Sequence, residues 1–419
     1  MNVAVVGMGK IGVPLAVQFA SKGANVAGYD VNAARVAEIN DRRNPLPSEP
    51  GLDEKVPGMV ASGRLRATGD AREAVADADV VVLIVPVDVD ATQRPDFALL
   101  DAAVDAVAPH LKRGALVIVE TTVPVGTTRL RVGAKIAEAT GWRAGTDFAL
   151  AFSPERVSSG RVLRDLATYP KIVGGIDARS TALAAEFYRD VLDAGVMEVR
   201  DAETAEFSKL AETTYRDVNI ALANEFARLA DRGGVDLLQA IDAANSQPYS
   251  HIHTPGVGVG GHCIPVYPYF LAGEDTELIN AARRLNDDMA RYGVRRLARV
   301  LGSLEGTTVV VLGLAYRAGV KESRHSSAFA LVNELIAEGA TAYVHDPLYT
   351  AAEIRAHGLE PPPSFPLPAD ALVVQAWHEQ YESLDLRAFP GLRAVLDGRA
   401  ALEPATVAAL GIAYVGIGR

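Results

Sequence analysis

The side chains in this chain that could do chemistry are few. Cys263 is the only cysteine in 419 residues and stands in Pro255-Gly256-Val257-Gly258-Val259-Gly260-Gly261-His262-Cys263-Ile264-Pro265. A lone cysteine is ordinarily a small buried hydrophobe. This stretch is no apolar helix face, however, and a thiol carried on nearly bare backbone is open to a substrate as a nucleophile. Gly7-Met8-Gly9-Lys10-Ile11-Gly12 has the glycine spacing of a pyrophosphate-binding turn. Gly7 would permit the tight turn, Gly9 the approach of a pyrophosphate to the backbone, and Gly12 the packing of helix on strand, with N–H donors at the helix start. Asp30 would accept from the adenosine ribose hydroxyls and repel a 2′-phosphate, which favours NAD over NADP. Lys10, Ile11 and Arg35 are assigned to the same cofactor site. Glu155 reads either as a solvated acid or as a carboxylate lining a site, and Lys209 either as a solvated helix charge or as a desolvated cation. Spacing alone decides neither.

Elements of the right kind surround these residues. The apolar run ending at Gly7 predicts a strand, the pattern through Ala20 a helix, and residues 24–29 a second strand ending at Asp30. Further strands are expected at 79–85, before Pro86, at 116–119, before Glu120-Thr121-Thr122-Val123-Pro124-Val125-Gly126, and at 149–152, before Glu155. Ligands of open α/β sheets lie beyond the carboxyl ends of strands, where Pro86, Thr122 and Glu155 fall. Apolar residues recur at helical spacing over 201–232, carrying Lys209 and, one turn on, Thr213. A helix of that length is expected to span domains or pair subunits. Strands at 307–312, 341–344, 372–375 and 393–396 alternate with helices and predict a second parallel α/β domain. Its first strand lacks a spaced glycine triplet, so it is expected to bind a nucleotide in another way, with Arg317 and Arg324 placed to meet phosphates.

The bulk composition excludes several classes. The length allows two or three domains, and 49% hydrophobic residues with 22% charged residues describe a globular chain. A net charge of −11 argues against nucleic acid or an anionic membrane as a partner. No run approaches a membrane span, the first residues read as a strand and not as a secretion signal, and one thiol forms no internal disulfide. A cytoplasmic location is expected. No metal site is expected.

Taken together, these motifs resemble the UDP-glucose/GDP-mannose dehydrogenase family of nucleotide-sugar 6-dehydrogenases. The match runs through Gly7 to Gly12, Thr122-Val123-Pro124-Val125-Gly126, Ser153-Pro154-Glu155-Arg156, the Lys209 helix, Gly260-Gly261-His262-Cys263, Gly313-Leu314-Ala315-Tyr316-Arg317, Arg324, Asp397-Gly398-Arg399 and Gly416-Ile417-Gly418-Arg419. The resemblance implies two Rossmann-like doubly wound parallel-sheet domains, residues 1–199 for NAD and 306–419 for the nucleotide sugar. A central helical segment, 200–305, would join them and pair subunits in a homodimer. It implies four-electron oxidation of a sugar C6 hydroxyl through a thiohemiacetal and a thioester on Cys263, with two NAD consumed per sugar. Glu155 would activate the hydrolytic water, Thr122 would orient it and Lys209 would stabilise the oxyanion. Pro86, Thr122 and Arg324 would line the cofactor. Glu155, Arg156, Lys209, Thr213, Gly260, Gly261, Tyr267 and Arg317 would line the nucleoside-diphosphate sugar. The family has Asp where this chain has Tyr267 and Asn where it has Thr213. The Ser-Pro-Glu-Arg and His-Cys-Ile-Pro-Val forms resemble the branch acting on UDP-hexosamines. UDP-glucose or a UDP-hexosamine is the expected substrate, with TDP-glucose, or a catalytically silent NAD- and sugar-nucleotide-binding paralogue, as alternatives.

Overall fold

Runs of Val, Ile and Leu bounded by glycine and polar turns form two separate sheets in the computed structural model, which describes residues 1–47, 49–273 and 275–419. The chain divides into one unit of Met1–Glu212 with Tyr269–Leu271, and a second of Thr213–Pro268 with Ala272–Arg419.

The first unit holds β1 (Asn2–Val6), β2 (Asn25–Tyr29), β3 (Leu65–Thr68), β4 (Val80–Leu83), β7 (Leu116–Val119), β8 (Ala149–Phe152), β9 (Lys171–Gly175) and β10 (Val196–Glu198). A small antiparallel hairpin, β5 (Asp88–Val89) and β6 (Pro95–Asp96), follows β4. The large sheet runs β10-β9-β8-β7-β4-β1-β2-β3, so β1 has β2 on one side and β4 on the other. The order of succession of the strands reverses there, and in open α/β sheets ligands lie beyond the carboxyl ends of the strands at such a point. Gly7, Asp30, Glu120 and Ser153 follow β1, β2, β7 and β8, so the parallel strands bring the segments that carry the expected Asp30, Thr122 and Glu155 to one edge.

Two strands depart from the expected all-parallel pattern: β9 runs antiparallel to β8, pairing Ala151 with Gly175 and Phe152 with Gly174, and β10 runs parallel to β9. The inversion has a chemical consequence, because it brings the first residue of β9, Lys171, to the edge where β8 ends.

The second unit holds β11 (Thr308–Leu312), β12 (Thr341–His345), β13 (Ala371–Val374), β14 (Ala394–Asp397) and β15 (Ala413–Gly416), all parallel, in the order β12-β11-β13-β14-β15. Alternate residues face opposite ways. Val309, Val311, Val373 and Leu396 join one apolar cluster and Val310, Leu312, Leu372 and Val395 another, so the strands are buried on both faces. The boundary between the units falls within the Ala202–Gly233 helix, whose 32 residues match the expected span. Among the described residues no helix is long and apolar enough to cross a membrane.

Candidate active site

The cofactor edge of the first unit is built around the glycine turn. Gly7 takes φ +100°, and a Cβ on Gly12 would stand 1.8 Å from the Gly7 carbonyl oxygen, so both positions exclude a side chain for reasons internal to the fold. Gly9 differs: a Cβ there meets nothing within 4 Å. The Gly12–Ser21 helix begins with no side-chain cap and no acid in its first turn, which leaves N–H donors facing that open space. Open room above an uncapped helix start fits a pyrophosphate, and Gly9 has no other evident reason to lack a side chain. The Asp30 carboxylate accepts from Met8 N–H at 2.8 Å and Asn32 N–H at 2.8 Å, which clamps the turn and leaves lone pairs for a ribose. Arg35 donates Nη1 to the Met8 carbonyl at 3.0 Å, so it braces the same turn. Lys10 and Ile11 are half-buried within the turn, whereas Pro86, past the end of β4, is exposed.

Farther along this edge Glu155 joins a group of charges whose other members sequence reasoning did not find. Lys171 Nζ donates to Glu120 Oε2 and to Glu155 Oε2, both at 2.8 Å, and Tyr188 Oη donates to Glu120 Oε1. Burial pushes Glu155 up, but Lys171, the Arg156 N–H and the charge of Lys209 prevail and hold it below the usual carboxylate range. Burial pushes Glu120 up to about 7, with Lys171 opposing and Glu155 adding to the rise. Lys171 stays raised: burial lowers it, and the two carboxylates outweigh burial.

Glu120 therefore weakens the fold at neutral pH. Its folded-state value of about 7 lies above the ordinary 4.5, so the penalty is absent below pH 4.5 and complete above about pH 7. Glu120→Gln should therefore stabilise the protein more above pH 7 than near pH 4, the difference growing as pH rises between them. Thermal melts across that range check this; a gain independent of pH would contradict it.

Lys209 is 5% exposed on the Ala202–Gly233 helix. Glu206, one turn earlier, accepts from the N–H groups of Gly126 at 2.5 Å and Thr128 at 2.8 Å. That buried carboxylate ties the Thr122 turn to the lysine helix. Thr122 itself is buried, three residues past β7. Arg156 donates to the Pro170 carbonyl and lies 4.0 Å from Glu212, so its guanidinium is engaged within the protein.

In the second unit the Cys263 loop lies along the carboxyl edge of the sheet. Val257 N–H donates to Gly398 at 3.3 Å, Arg399 Nη1 to the Gly258 carbonyl at 3.2 Å, and Gly261 N–H to the Arg324 carbonyl at 3.0 Å. A Cβ on Gly260 would stand 2.8 Å from the His325 carbonyl, and one on Gly261, at φ +96°, 3.0 Å from the Tyr316 ring. The loop thus needs its glycines in order to lie against the segment bearing Arg317 and Arg324. Arg317 Nε donates to Tyr316 Oη at 3.0 Å, and His262 Nε2 lies 2.7 Å from the buried Glu322. Cys263 is half-buried, and its carbonyl accepts from Tyr267 N–H at 2.9 Å, which closes a turn after the thiol. Thr213 is buried on the long helix. Asp346, after β12, occupies the place that Asp30 holds after β2. It is buried and accepts from Leu314 N–H, Ala315 N–H and His378 Nε2, so no ribose can reach it. The second sheet cannot repeat the dinucleotide mode of the first. Among the described residues no group of three or more His, Cys, Asp or Glu could hold a metal ion.

A glycine turn fitted to a dinucleotide, and a second α/β unit presenting a thiol, define an NAD-dependent oxidoreductase. Residues 1–192 match the NAD binding domain of the UDP-glucose/GDP-mannose dehydrogenase family, 203–288 its central domain and 310–404 its UDP binding domain. The chain belongs to this family of nucleotide-sugar dehydrogenases. It is 36% identical to UDP-N-acetyl-D-mannosamine dehydrogenase of Pyrococcus horikoshii over 433 residues, covering 100% of this chain and 99% of that one. It is 35% identical to NDP-N-acetyl-D-galactosaminuronic acid dehydrogenase of Ralstonia solanacearum, covering 95% of each. The solved structure of the P. horikoshii enzyme superposes with a TM-score of 0.90 at 35% identity, covering 100% of this chain and 99% of that one.

Proposed function

We propose that the protein oxidises the C6 hydroxyl of a UDP-linked N-acetylhexosamine to the uronic acid in two successive two-electron steps at one site. The observation that carries this reading is the half-buried thiol of Cys263 on a glycine loop braced by the segment of Arg317 and Arg324. The hexosamine is supported by the names of the two relatives.

Bound NAD supplies the hydride acceptor for each step. The first oxidation turns the C6 alcohol into an aldehyde, releasing a hydride and a proton. The Cys263 sulfur then adds to that carbonyl carbon. Addition converts an aldehyde with nothing further to give into a thiohemiacetal that still carries a hydride, and it keeps the intermediate from escaping. After the second hydride leaves, water attacks the thioester, the carbon–sulfur bond breaks and the acid departs. Lys209, desolvated on its helix, stabilises the oxyanion in these steps. Glu155 accepts the proton of the attacking water, which Thr122 orients. Tyr267 is a poor base near neutral pH, so the first proton passes to a water held by Lys209. The Arg317 and Arg324 segment receives the diphosphate.

A homodimer belongs to the same reading. Tyr215, Leu222 and Leu229 lie one heptad apart on the long helix and are exposed at 56%, 42% and 51%, an apolar stripe suited to a second copy. Leu222→Glu should yield monomers in sedimentation, and a monomeric parent protein at micromolar concentration would contradict the pairing. The lone thiol is consistent with a cytoplasmic location.

Substrate choice is tested by NADH release from a panel of UDP-, TDP- and GDP-sugars. UDP-N-acetyl-D-mannosamine or another UDP-N-acetylhexosamine should turn over fastest. Preference for UDP-glucose or a TDP-sugar would overturn the hexosamine assignment.

A further inference from the structure

Behind Glu155 lies a chain of buried groups to which the reaction above gives no task. Tyr188, Glu120 and Lys171 are all at most 4% exposed and are joined in sequence to Glu155. One lysine is shared between two carboxylates, whereas a single Lys–Glu pair would brace the strands equally well. The groups facing this chain are Tyr188 from the Ala178–Val191 helix, Lys171 from β9, Glu155 beyond β8 and Lys209 from the long helix. Ser153 Oγ donates to the Ile172 carbonyl at 2.7 Å and interacts with Tyr188.

Glu155 meanwhile looks like a reluctant base. Its Oε1 accepts from Arg156 N–H at 2.7 Å and Val157 N–H at 3.1 Å, and its Oε2 from Lys171 at 2.8 Å. Three donors favour the ionised form and oppose protonation unless the proton can move on.

We propose that Glu120, Lys171 and Glu155 form a proton relay serving hydrolysis. As Glu155 Oε2 takes a proton from the attacking water, Lys171 passes one of its own to Glu120 Oε2 and recovers one from Glu155. The sum is the transfer of one proton from the water to Glu120, with Glu155 again ionised, the ammonium restored and no change of oxidation state. Glu120 and Lys171 are positioning residues that act through Glu155. The inference rests on the reading that Glu155 activates the water. Glu120 must be ionised to receive the proton, and burial raises it to about 7, so the relay opens as pH rises through neutrality.

The test follows decay of the Cys263 thioester by quenched flow and intact-protein mass, between pH 5.5 and 9. It uses the full chain with NAD and the fastest sugar of the panel. The parent protein should accelerate about tenfold per pH unit below neutrality and level off above it. Glu120→Gln should be at least about tenfold slower at pH 8 and nearly independent of pH. Tyr188→Phe removes a hydrogen bond that holds Glu120 down, so it should move the midpoint to higher pH while keeping the plateau. NAD binding and melting temperature establish that each variant is folded, and Tyr188→Phe carries the test if Glu120→Gln is not. A parent-like pH profile in Glu120→Gln, alongside slow decay in Glu155→Gln, would overturn the relay alone. Parent-like decay in Glu155→Gln would overturn the base assignment and the relay with it.

Discussion

Replacing Cys263 with alanine should abolish formation of the sugar acid, by at least about a thousandfold, while leaving NAD affinity and melting temperature unchanged. The expectation follows from the order of bond changes. Without the sulfur, the first oxidation product has no covalent partner, so a second hydride cannot leave from a thiohemiacetal. At most one NADH per sugar then appears. The loop itself should survive, because its course is set by main-chain hydrogen bonds to Arg324 and Gly398, by Arg399, and by the glycines against Tyr316 and His325, none of which involves the thiol. Chromatographic detection of the acid, together with an NAD titration, checks both parts. Acid production at the parent rate in Cys263→Ala would remove the thiol from the chemistry.

The second large effect separates two glycines of one turn. Gly9→Ala should fold and melt like the parent, because its Cβ meets nothing within 4 Å, yet bind NAD about a hundredfold more weakly if the pyrophosphate occupies that space as proposed. Gly12→Ala should behave oppositely, losing about 3 kcal/mol of stability, since its Cβ would lie 1.8 Å from the Gly7 carbonyl oxygen and the backbone must shift. Calorimetric melts and NAD binding isotherms on the two variants make the comparison. Undiminished NAD affinity in Gly9→Ala would contradict the placement of the cofactor.

The cofactor edge was legible in the sequence because its parts are local: a strand, three glycines, a helix start and an acid at the end of the next strand follow one another within 30 residues. The long helix was legible for a similar reason, since its apolar period runs unbroken to Gly233. The charge chain behind Glu155 was not. Glu120, Lys171 and Tyr188 lie on separate elements, and they meet only because β9 runs antiparallel to β8, an inversion that no local pattern announces. Glu206 was hidden in the same way: nothing in the sequence separates it from the other glutamates of that helix, and its role appears only when the Gly126 turn folds onto it. Arg156 entered through the family motif Ser153 to Arg156, and the contacts of its side chain with the Pro170 carbonyl and Glu212 were not legible in the sequence.

These expectations share one premise, that a single thiol takes the substrate through two oxidations without release. The most direct measurement is the ratio of NADH formed to sugar consumed by the parent protein at substoichiometric UDP-N-acetylhexosamine, with the product identified by mass. Two NADH per sugar and a uronic acid are predicted. One NADH per sugar, with aldehyde released into solution, would contradict the account.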